Sequence, residues 1–315
     1  MRKIAVLGAN PACQKTLFFP EFRYGEVNRA ARMEVLASGK GINFCRAAAH
    51  WGRAAGVLMQ FTGGETGRFI REALAREHLA AVDTVVAGTT RCCVTCLDET
   101  RRVMTELIEP SAAVSESEAE DLLGNWREAL TDAAAAAICG TLPDGSDYRL
   151  YRRAADLAHA AGKPLLFDAW QELEPCLRSG DNLLKINRSE LAKLTGISDL
   201  RAALSALFRR CRLRFAAITD GADRAFASDG TNLYTYEIPR VPEVVNPIGC
   251  GDTASAVLLS EIVSGTEPPR AFQLALGAAS ANCMTSRPGS FDRAAAERFA
   301  VGAFSVEKLA GGPRI

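Results

Sequence analysis

The chain has 315 residues, 48% of them hydrophobic and 23% charged, which is typical of a soluble globular protein. Its 37 Lys and Arg residues balance its 37 Asp and Glu residues, so neither nucleic acid nor a membrane surface is expected as a partner attracted by overall charge. No stretch is long and apolar enough to span a bilayer, and the first apolar run is too short for a signal peptide. With ten cysteines scattered along the chain, we expect a cytoplasmic protein with reduced thiols.

The first third of the chain alternates short apolar runs with helical patterns. We predict strands at residues 4–7, 16–19, 32–36 and 57–62, helices at 42–51 and 69–77, and a glycine-rich loop at 63–67.

Residues 91–98 and 102–108 alternate as the two strands of a hairpin that turns near Glu99. Together with the two strand-like stretches at 16–19 and 32–36, this hairpin predicts a small sheet set apart from the main body.

The rest of the chain continues as alternating strands and helices. Ser115 and Glu118 form a capping box that predicts the start of a helix. The predicted strands are 133–139, 164–169, 183–186 and 216–219, and the predicted helices are 189–194, 200–207 and one that ends at Gly162. Such alternation indicates a parallel sheet with helices on both faces, and ligands bind at the carboxyl ends of its strands.

The segment Gly249-Cys250-Gly251-Asp252, followed by a predicted helix at 254–263, is a candidate anion site. Two glycines allow a tight turn, and the start of a helix contributes unpaired N–H groups and the positive end of its dipole. Asp252 is placed to accept a proton from a hydroxyl. In isolation this short motif is explained at least as well by Asp252 or Thr253 capping the helix.

Four further short segments are rich in polar residues, and three of them combine these with glycines, as the 249–252 segment does. They are Ser38 to Asn43, Gly140 to Gly145, Lys185 to Glu190, and Thr219 to Ala222. With the 246–252 segment, they resemble the ribokinase-like PfkB carbohydrate kinase family over nearly the whole chain. Asn10-Pro11-Ala12, residues 25–30, 89–91 and 105–110 are most similar to the branch of 1-phosphofructokinases and tagatose-6-phosphate kinases. No Walker A loop occurs, which argues against a P-loop kinase.

The resemblance implies a ribokinase-like three-layer α/β/α domain with a mostly parallel central sheet and a small β-sheet lid. The α/β core would comprise residues 1–10, 39–88 and 111–315, and the lid residues 11–38 and 89–110. It also implies ATP and Mg²⁺ as cofactors, phosphorylation of a sugar phosphate, and a homodimer formed through the lid.

The resemblance implies a role for residues in most of these segments. Asp252 would be the catalytic base, and the backbone of Gly249, Cys250 and Gly251 the anion hole for the transferred phosphoryl group. Substrate would be bound by Gln14, Gly39, Lys40 and Asn43, with Arg91 and Arg29 as candidates for its phosphate because a guanidinium matches phosphate oxygens. Nucleotide would be bound by Lys185, Asn187, Thr219, Gly221 and Asn282, and metal by Asn187 and Glu190 through water.

Five residues depart from the family pattern, namely Gln14, Ser38, Ile186, Cys250 and Arg224, and three of them bear on the site. Gln14 replaces an aspartate that accepts hydrogen bonds from sugar hydroxyls, and Ser38 replaces a glycine and is expected to narrow the sugar pocket. Cys250 replaces an alanine, and the helix-terminal N–H groups beside it favour a reactive thiol.

Two alternatives are left open. The departure at Gln14 allows a kinase of an unphosphorylated sugar or nucleoside. A non-catalytic family member that binds a sugar phosphate is the other, although Asp252 and both loop glycines argue against it. A dinucleotide oxidoreductase is disfavoured because no Gly-x-Gly-x-x-Gly follows the first strand.

Overall fold

The computed structural model describes residues 1–302 and 304–309. Residue 303 and residues 310–315, which belong to the predicted core segment 111–315, lie outside the described residues.

A ten-stranded sheet forms the centre of the molecule, in the order β14-β13-β12-β11-β10-β9-β8-β1-β4-β5. The seven strands from β11 to β5 are parallel, and β12, β13 and β14 extend the sheet antiparallel. The strands of this sheet are β1 (Arg2–Leu7), β4 (Ala54–Thr62), β5 (Ala80–Val85), β8 (Ala135–Cys139), β9 (Leu165–Asp168), β10 (Asn182–Asn187), β11 (Phe215–Asp220), β12 (Arg224–Ser228), β13 (Asn232–Glu237) and β14 (Ser305–Lys308).

Helices cover both faces of this sheet, as predicted. Successive residues of β1 point to opposite faces, so that Ile4 and Val6 pack with one helical layer while Ala5 and Leu7 pack with the other. The first layer contains α1 (Lys40–Trp51), α2 (Gly64–Arg76), α7 (Cys250–Val263), α8 (Pro268–Asn282) and α9 (Arg293–Phe299). The second contains α3 (Glu116–Asp132), α4 (Arg149–Ala160), α5 (Arg188–Thr195) and α6 (Leu200–Arg210). A single 3₁₀ turn at Glu174–Leu177 is the remaining helical element of the described chain.

The predicted small sheet is confirmed as a separate four-stranded unit, in the order β3-β2-β6-β7. Its strands are β2 (Ala12–Phe19), β3 (Arg32–Ser38), β6 (Cys92–Asp98) and β7 (Val103–Ile108). β2 runs parallel to β6 and antiparallel to β3. Because β3 leads directly into α1, the small sheet is joined to the core at the residues around Gly39.

The prediction of a loop at residues 63–67 is wrong, because α2 begins at Gly64. The glycines there serve close packing rather than irregular structure: a Cβ on Gly63 would lie 1.9 Å from the carbonyl oxygen of Gly88. Sequence patterns also missed β5 and the strands β12 to β14, which lie at the two ends of the large sheet. Strands at the margin of a sheet carry a weaker apolar pattern than central ones, and β5 is half-exposed along its length.

No helix within residues 1–302 and 304–309 combines the length and apolar character needed to cross a membrane.

Candidate active site

Residues from the predicted site segments lie together at the carboxyl ends of the central parallel strands. Asp168 ends β9, and Lys185 lies on the neighbouring strand β10. Lys40 and Asn43 come from the first turn of α1, and Asp252 from the first turn of α7. Polar side chains from two strands and two helix N-termini therefore surround one site.

The N-terminus of α7 forms a turn that only glycine adopts easily. Gly249 is the N-cap residue with φ of +82°, and no side chain caps the helix. The alternative in which Asp252 or Thr253 serves as a cap is therefore wrong. The first helical hydrogen bond runs from the N–H of Thr253 to the carbonyl of Gly249, so the N–H groups of Gly251 and Asp252 have no intrahelical partner and can bind an anion.

Asp252 lies beside these N–H groups and is 8% exposed. The side-chain amide of Asn43 donates to Asp252 Oδ2 over 2.7 Å. Burial and the nearby negative charge of Asp168 raise the pKa of Asp252 above its ordinary value, although Lys40, Asn43 and Lys185 act in the opposite direction. A carboxylate with a raised pKa is a better proton acceptor than an ordinary aspartate.

Asp168 joins the two lysines of the site, and no sequence pattern identified it. It is 1% exposed, with Lys40 Nζ 2.7 Å and Lys185 Nζ 3.5 Å from its carboxylate oxygens. Ser255 on α7 also donates to it over 2.6 Å. Burial alone would raise the pKa of Asp168, but the two lysines lower it to about 2. The available signal was its position as the final residue of a buried strand.

The two lysines have different surroundings. Lys40 is 35% exposed at the mouth of the site, and although burial opposes its charge, Asp168, Asp252 and Glu190 raise its pKa above the usual range. Lys185 is buried, and its Nζ would lie 2.7 Å from a Cβ placed on Gly251. A side chain at position 251 would therefore displace the Lys185 ammonium group from its place beside Asp168.

Asn282, which the resemblance assigns to nucleotide binding, has its side chain bonded within the protein. It is fully buried, and its amide donates to the carbonyl of Ile248 and the sulfur of Cys250, over 3.0 and 3.2 Å. Its Oδ1 accepts from Thr253 and from the N–H of Gly289. Asn282 therefore holds the loop of residues 246–252, called the anion loop below, from the buried side.

The surroundings of Cys250 oppose the thiolate form. Its hydrogen bond with the thiol of Cys283, together with burial, raises the pKa of Cys250 well above its ordinary value. This effect acts against the helix-terminal N–H groups, which favour a reactive thiol.

Asn187 and Glu190 form a reciprocal capping box at the start of α5. Asn187 Oδ1 accepts from the N–H of Glu190, and Glu190 Oε2 accepts from the N–H of Asn187, each over 2.8 Å. One oxygen of the Glu190 carboxylate is left for another ligand. Thr219 pairs with Asn187 across β10 and β11, and Gly221 lies in the exposed turn after β11 with φ of +75°.

At the opposite end of the site, Gln14 and Ser38 are both turned inward. Gln14 is 5% exposed and donates to Thr95 Oγ1 over 2.7 Å. Ser38 Oγ donates to Asn43 Oδ1 over 3.3 Å, so its hydroxyl is bonded to the first turn of α1.

The two arginines proposed for the substrate's phosphate lie in different environments. Arg91 lines a cleft of about 20 Å³ with Asn10 and Thr90, and its buried Nε has no hydrogen-bond partner among the described residues. Arg29 is exposed in the connection between β2 and β3. Its side chain forms no hydrogen bond or ion pair with the described residues.

Comparison with known proteins agrees with this geometry. The family model described as "pfkB family carbohydrate kinase" matches residues 1–293. Tagatose-6-phosphate kinase of Staphylococcus epidermidis is 27% identical over 270 residues, which is 82% of this chain and 85% of that protein.

Solved structures with the same fold cover nearly all of both chains. A mutant of phosphofructokinase-2 from Escherichia coli has a TM-score of 0.86 at 21% identity, covering 95% of this chain and 98% of that one. Ribokinase of Arabidopsis thaliana, solved with ribose and ATP, has a TM-score of 0.74 at 18% identity, covering 96% and 100%. The predicted ribokinase-like fold is thus confirmed.

Proposed function

The chain belongs to the pfkB family of carbohydrate kinases, and from this premise we propose that it transfers the γ-phosphoryl group of ATP to a hydroxyl of a sugar phosphate. The substrate class is that of fructose 1-phosphate, fructose 6-phosphate or tagatose 6-phosphate. The observation that carries the proposal is a buried carboxylate, Asp252, held beside the unpaired N–H groups of a helix N-terminus. A proton acceptor and an anion site are the two elements that phosphoryl transfer to a hydroxyl requires.

Asp252 acts as the base. As the sugar oxygen attacks phosphorus, its proton passes to the Asp252 carboxylate and the bond between phosphorus and the ADP oxygen breaks. The hydrogen bond from Asn43 fixes the carboxylate, so that its free oxygen faces the incoming hydroxyl.

The anion hole stabilises charge that develops on the transferred group. Around the proposed Gly249–Gly251 anion hole, the N–H groups of Gly251 and Asp252 have no intrahelical partner, and the buried Lys185 ammonium lies beside Gly251. Fixed dipoles and a desolvated cation stabilise the transition state because they need no rearrangement during the reaction.

The residues present fit a magnesium ion bound chiefly by phosphates and water. Mg²⁺ in kinases usually keeps several waters and contacts one or two carboxylates. Glu190 has one carboxylate oxygen left outside its capping box, and it lies near enough to Lys40 to raise the pKa of that lysine. We therefore propose that Glu190, with Asn187, holds the ion through water, where it would neutralise phosphate charge. Thr219 and Gly221 border the nucleotide in this proposal.

Arg91 supports a phosphorylated substrate over a free sugar. A buried guanidinium nitrogen without a partner is costly unless an anion satisfies it. The sugar lies between this arginine and Asp252, beside Gly39, Lys40 and Gln14. Gln14 already donates to Thr95, which leaves its oxygen to accept from a sugar hydroxyl.

We also propose a homodimer formed through the lid, with the domain limits given above. One face of the small sheet, assigned from its strand register, carries Leu17, Met33, Val35, Val94 and Leu107, and Met33 and Leu107 are each 56% exposed. An exposed apolar sheet face is typical of a protein interface. All ten cysteines are unpaired thiols, which supports a cytoplasmic location.

A screen of ADP release tests the function. The purified protein is supplied with ATP and Mg²⁺ and with phosphorylated and free sugars in parallel. Stimulation by sugar phosphates alone supports the proposal. Stimulation by free sugars or nucleosides alone would favour the first alternative, and binding of a sugar phosphate without ADP release the second.

The pH dependence of kcat reports on the base. Because Asp252 must be deprotonated to accept a proton and its pKa is raised, activity is expected to fall on acidification at a pH above the ordinary aspartate value of about 3.9. Activity measured from pH 8 to pH 4, with circular dichroism to verify folding, gives the midpoint. A constant kcat down to pH 4 in folded protein would contradict the assignment.

Arg91→Ala is expected to raise KM for the sugar phosphate roughly 10- to 100-fold, the equivalent of a lost hydrogen bond to a charged group. KM for ATP should remain unchanged, because Arg91 lies at the sugar end. Arg101→Ala is the matched control, since Arg101 is a lid arginine paired with Glu21 outside the site. Equal KM values for wild type and Arg91→Ala would rule out this phosphate contact.

A further inference from the structure

Arg46 is a buried cation that touches three separate parts of the site. It lies on α1, is 3% exposed, and forms an ion pair with Glu77 over 2.7 Å. Its Nη1 donates to Asn43 Oδ1 over 3.2 Å and to the carbonyl of Pro288 over 2.7 Å. Its Nη2 donates to the carbonyl of Ala37 over 2.9 Å. None of these atoms is placed to reach substrate directly.

Arg46 fixes which end of the Asn43 amide faces the base. A guanidinium can only donate hydrogen bonds, so the Asn43 atom beside it must be the oxygen. Ser38 donates to the same oxygen over 3.3 Å. With both acceptor positions of Oδ1 occupied, the Nδ2 group is directed at Asp252, which it contacts over 2.7 Å.

The same guanidinium supports the anion loop from behind. A Cβ on Gly249 would lie 2.8 Å from Pro288 Cβ, so the two segments are in direct contact. Binding the carbonyl of Pro288 therefore holds the segment against which Gly249 packs. Because one rigid fork bonds Asn43 and Pro288 through a single nitrogen, the base and the anion loop share a common support.

We propose that Arg46 is a positioning residue that sets the protonation and orientation of Asp252 through the amide of Asn43. The inference rests on the proposed function for its kinetic consequence, since Asp252 is the base only in that reaction. The structural consequence does not depend on it: without Arg46 the Asn43 amide oxygen keeps only its contact with Ser38, and the amide is held less firmly as a donor to Asp252.

Loss of that donor has a predictable direction. Lys40, Lys185 and Asp168 also face Asp252, and the Asn43 hydrogen bond is among the contacts that favour its ionised form. Weakening the bond should raise the pKa of Asp252 by about 1, the equivalent of one charge-assisted hydrogen bond. Where Asp252 is the base, kcat should fall about tenfold or more because its carboxylate is no longer held in one orientation toward the hydroxyl, while KM for ATP stays the same.

The test compares Arg46→Gln in the wild-type and Asn43→Ala backgrounds. Glu77 keeps Arg287 as a partner in Arg46→Gln, which limits the cost of the substitution to folding. Arg53→Gln is the matched control, because Arg53 forms the corresponding ion pair with buried Glu261 beyond the far end of α1. Carboxyl ¹³C NMR titration, with the Asp252 resonance assigned by Asp252→Asn, gives the pKa independently of catalysis.

The inference is supported if Arg46→Gln raises the pKa of Asp252 and lowers kcat in the wild-type background but changes neither in the Asn43→Ala background. Arg46→Lys, which retains one donor, should give intermediate values. An unchanged pKa, or the same shift in both backgrounds, would overturn the inference and assign Arg46 to folding alone. If wild-type protein releases no ADP with any sugar, the proposed function fails while the titration still decides the role of Arg46.

Discussion

Replacing Asp252 with asparagine is expected to lower kcat for sugar phosphorylation by about 10²–10⁴-fold, the contribution typical of a positioned general base. The amide has nearly the same shape and can still accept the hydrogen bond from Asn43, so the site should remain assembled. It has no useful basicity, however, and the proton of the sugar hydroxyl would have to leave to water. KM for ATP should change little because the residues proposed to bind the nucleotide do not include the Asp252 side chain.

The measurement is a steady-state assay of ADP release with saturating ATP and sugar phosphate. Asp199→Asn serves as the control, because Asp199 caps α6 by accepting from the N–H of Ala202, and asparagine caps a helix equally well. A kcat for Asp252→Asn within a few-fold of wild type would show that another group takes the proton.

Gly249→Ala is expected to lower kcat by about 10²-fold or more, the cost typical of losing one donor of an oxyanion-type site. Gly249 has φ of +82°, and a Cβ there would lie 2.8 Å from Pro288 Cβ and 2.9 Å from the backbone nitrogen of Gly289. The methyl group must push the anion loop away from this segment, which moves the N–H groups relative to Asp252. The left-handed backbone adds about 1–2 kcal/mol of strain to the folded state.

Gly265→Ala distinguishes the effect of left-handed backbone strain from the effect of displacing the anion loop. Gly265 follows the other end of α7, has φ of +95°, and has open space where a Cβ would be added. Both variants should unfold at lower urea concentration than wild type, but Gly265→Ala should keep its full kcat. Equal kcat for the two variants would show that the shape of the turn at Gly249 does not matter to catalysis.

The sequence was sufficient to predict most of the fold because its central strands and glycine-terminated helices carry strong local patterns. Gly52 and Gly196, for example, end α1 and α5 in the left-handed conformation that glycine adopts easily. The strands at the margins of the large sheet were missed, since their apolar pattern is diluted by exposed residues. The start of α2 was missed because its glycines are needed for close packing against residues 86–90, which no local pattern reveals.

The site was predicted in part, and the missing residues share one property. Asp168 and Arg46 act on other side chains rather than on a ligand, so their importance depends on contacts between distant segments. Ser38 and Asn282 carry hydrogen bonds that no motif predicts, to Asn43 and to the anion loop respectively. A motif identifies which residues meet at a site, but the direction of each side chain follows from the packing around it.

The junction between β3 and α1 limits how the lid of this chain can be exchanged for the lid of a related protein. The proposed lid ends at Ser38, yet Ala37 and Ser38 bond directly to Arg46 and Asn43 of the core. A chimaera that received the lid of a relative would also receive new partners for Asn43 and Arg46, which we propose to position the base. If the lid selects the sugar, as proposed, its exchange is expected to change turnover as well, unless residues 37–46 are moved as one block.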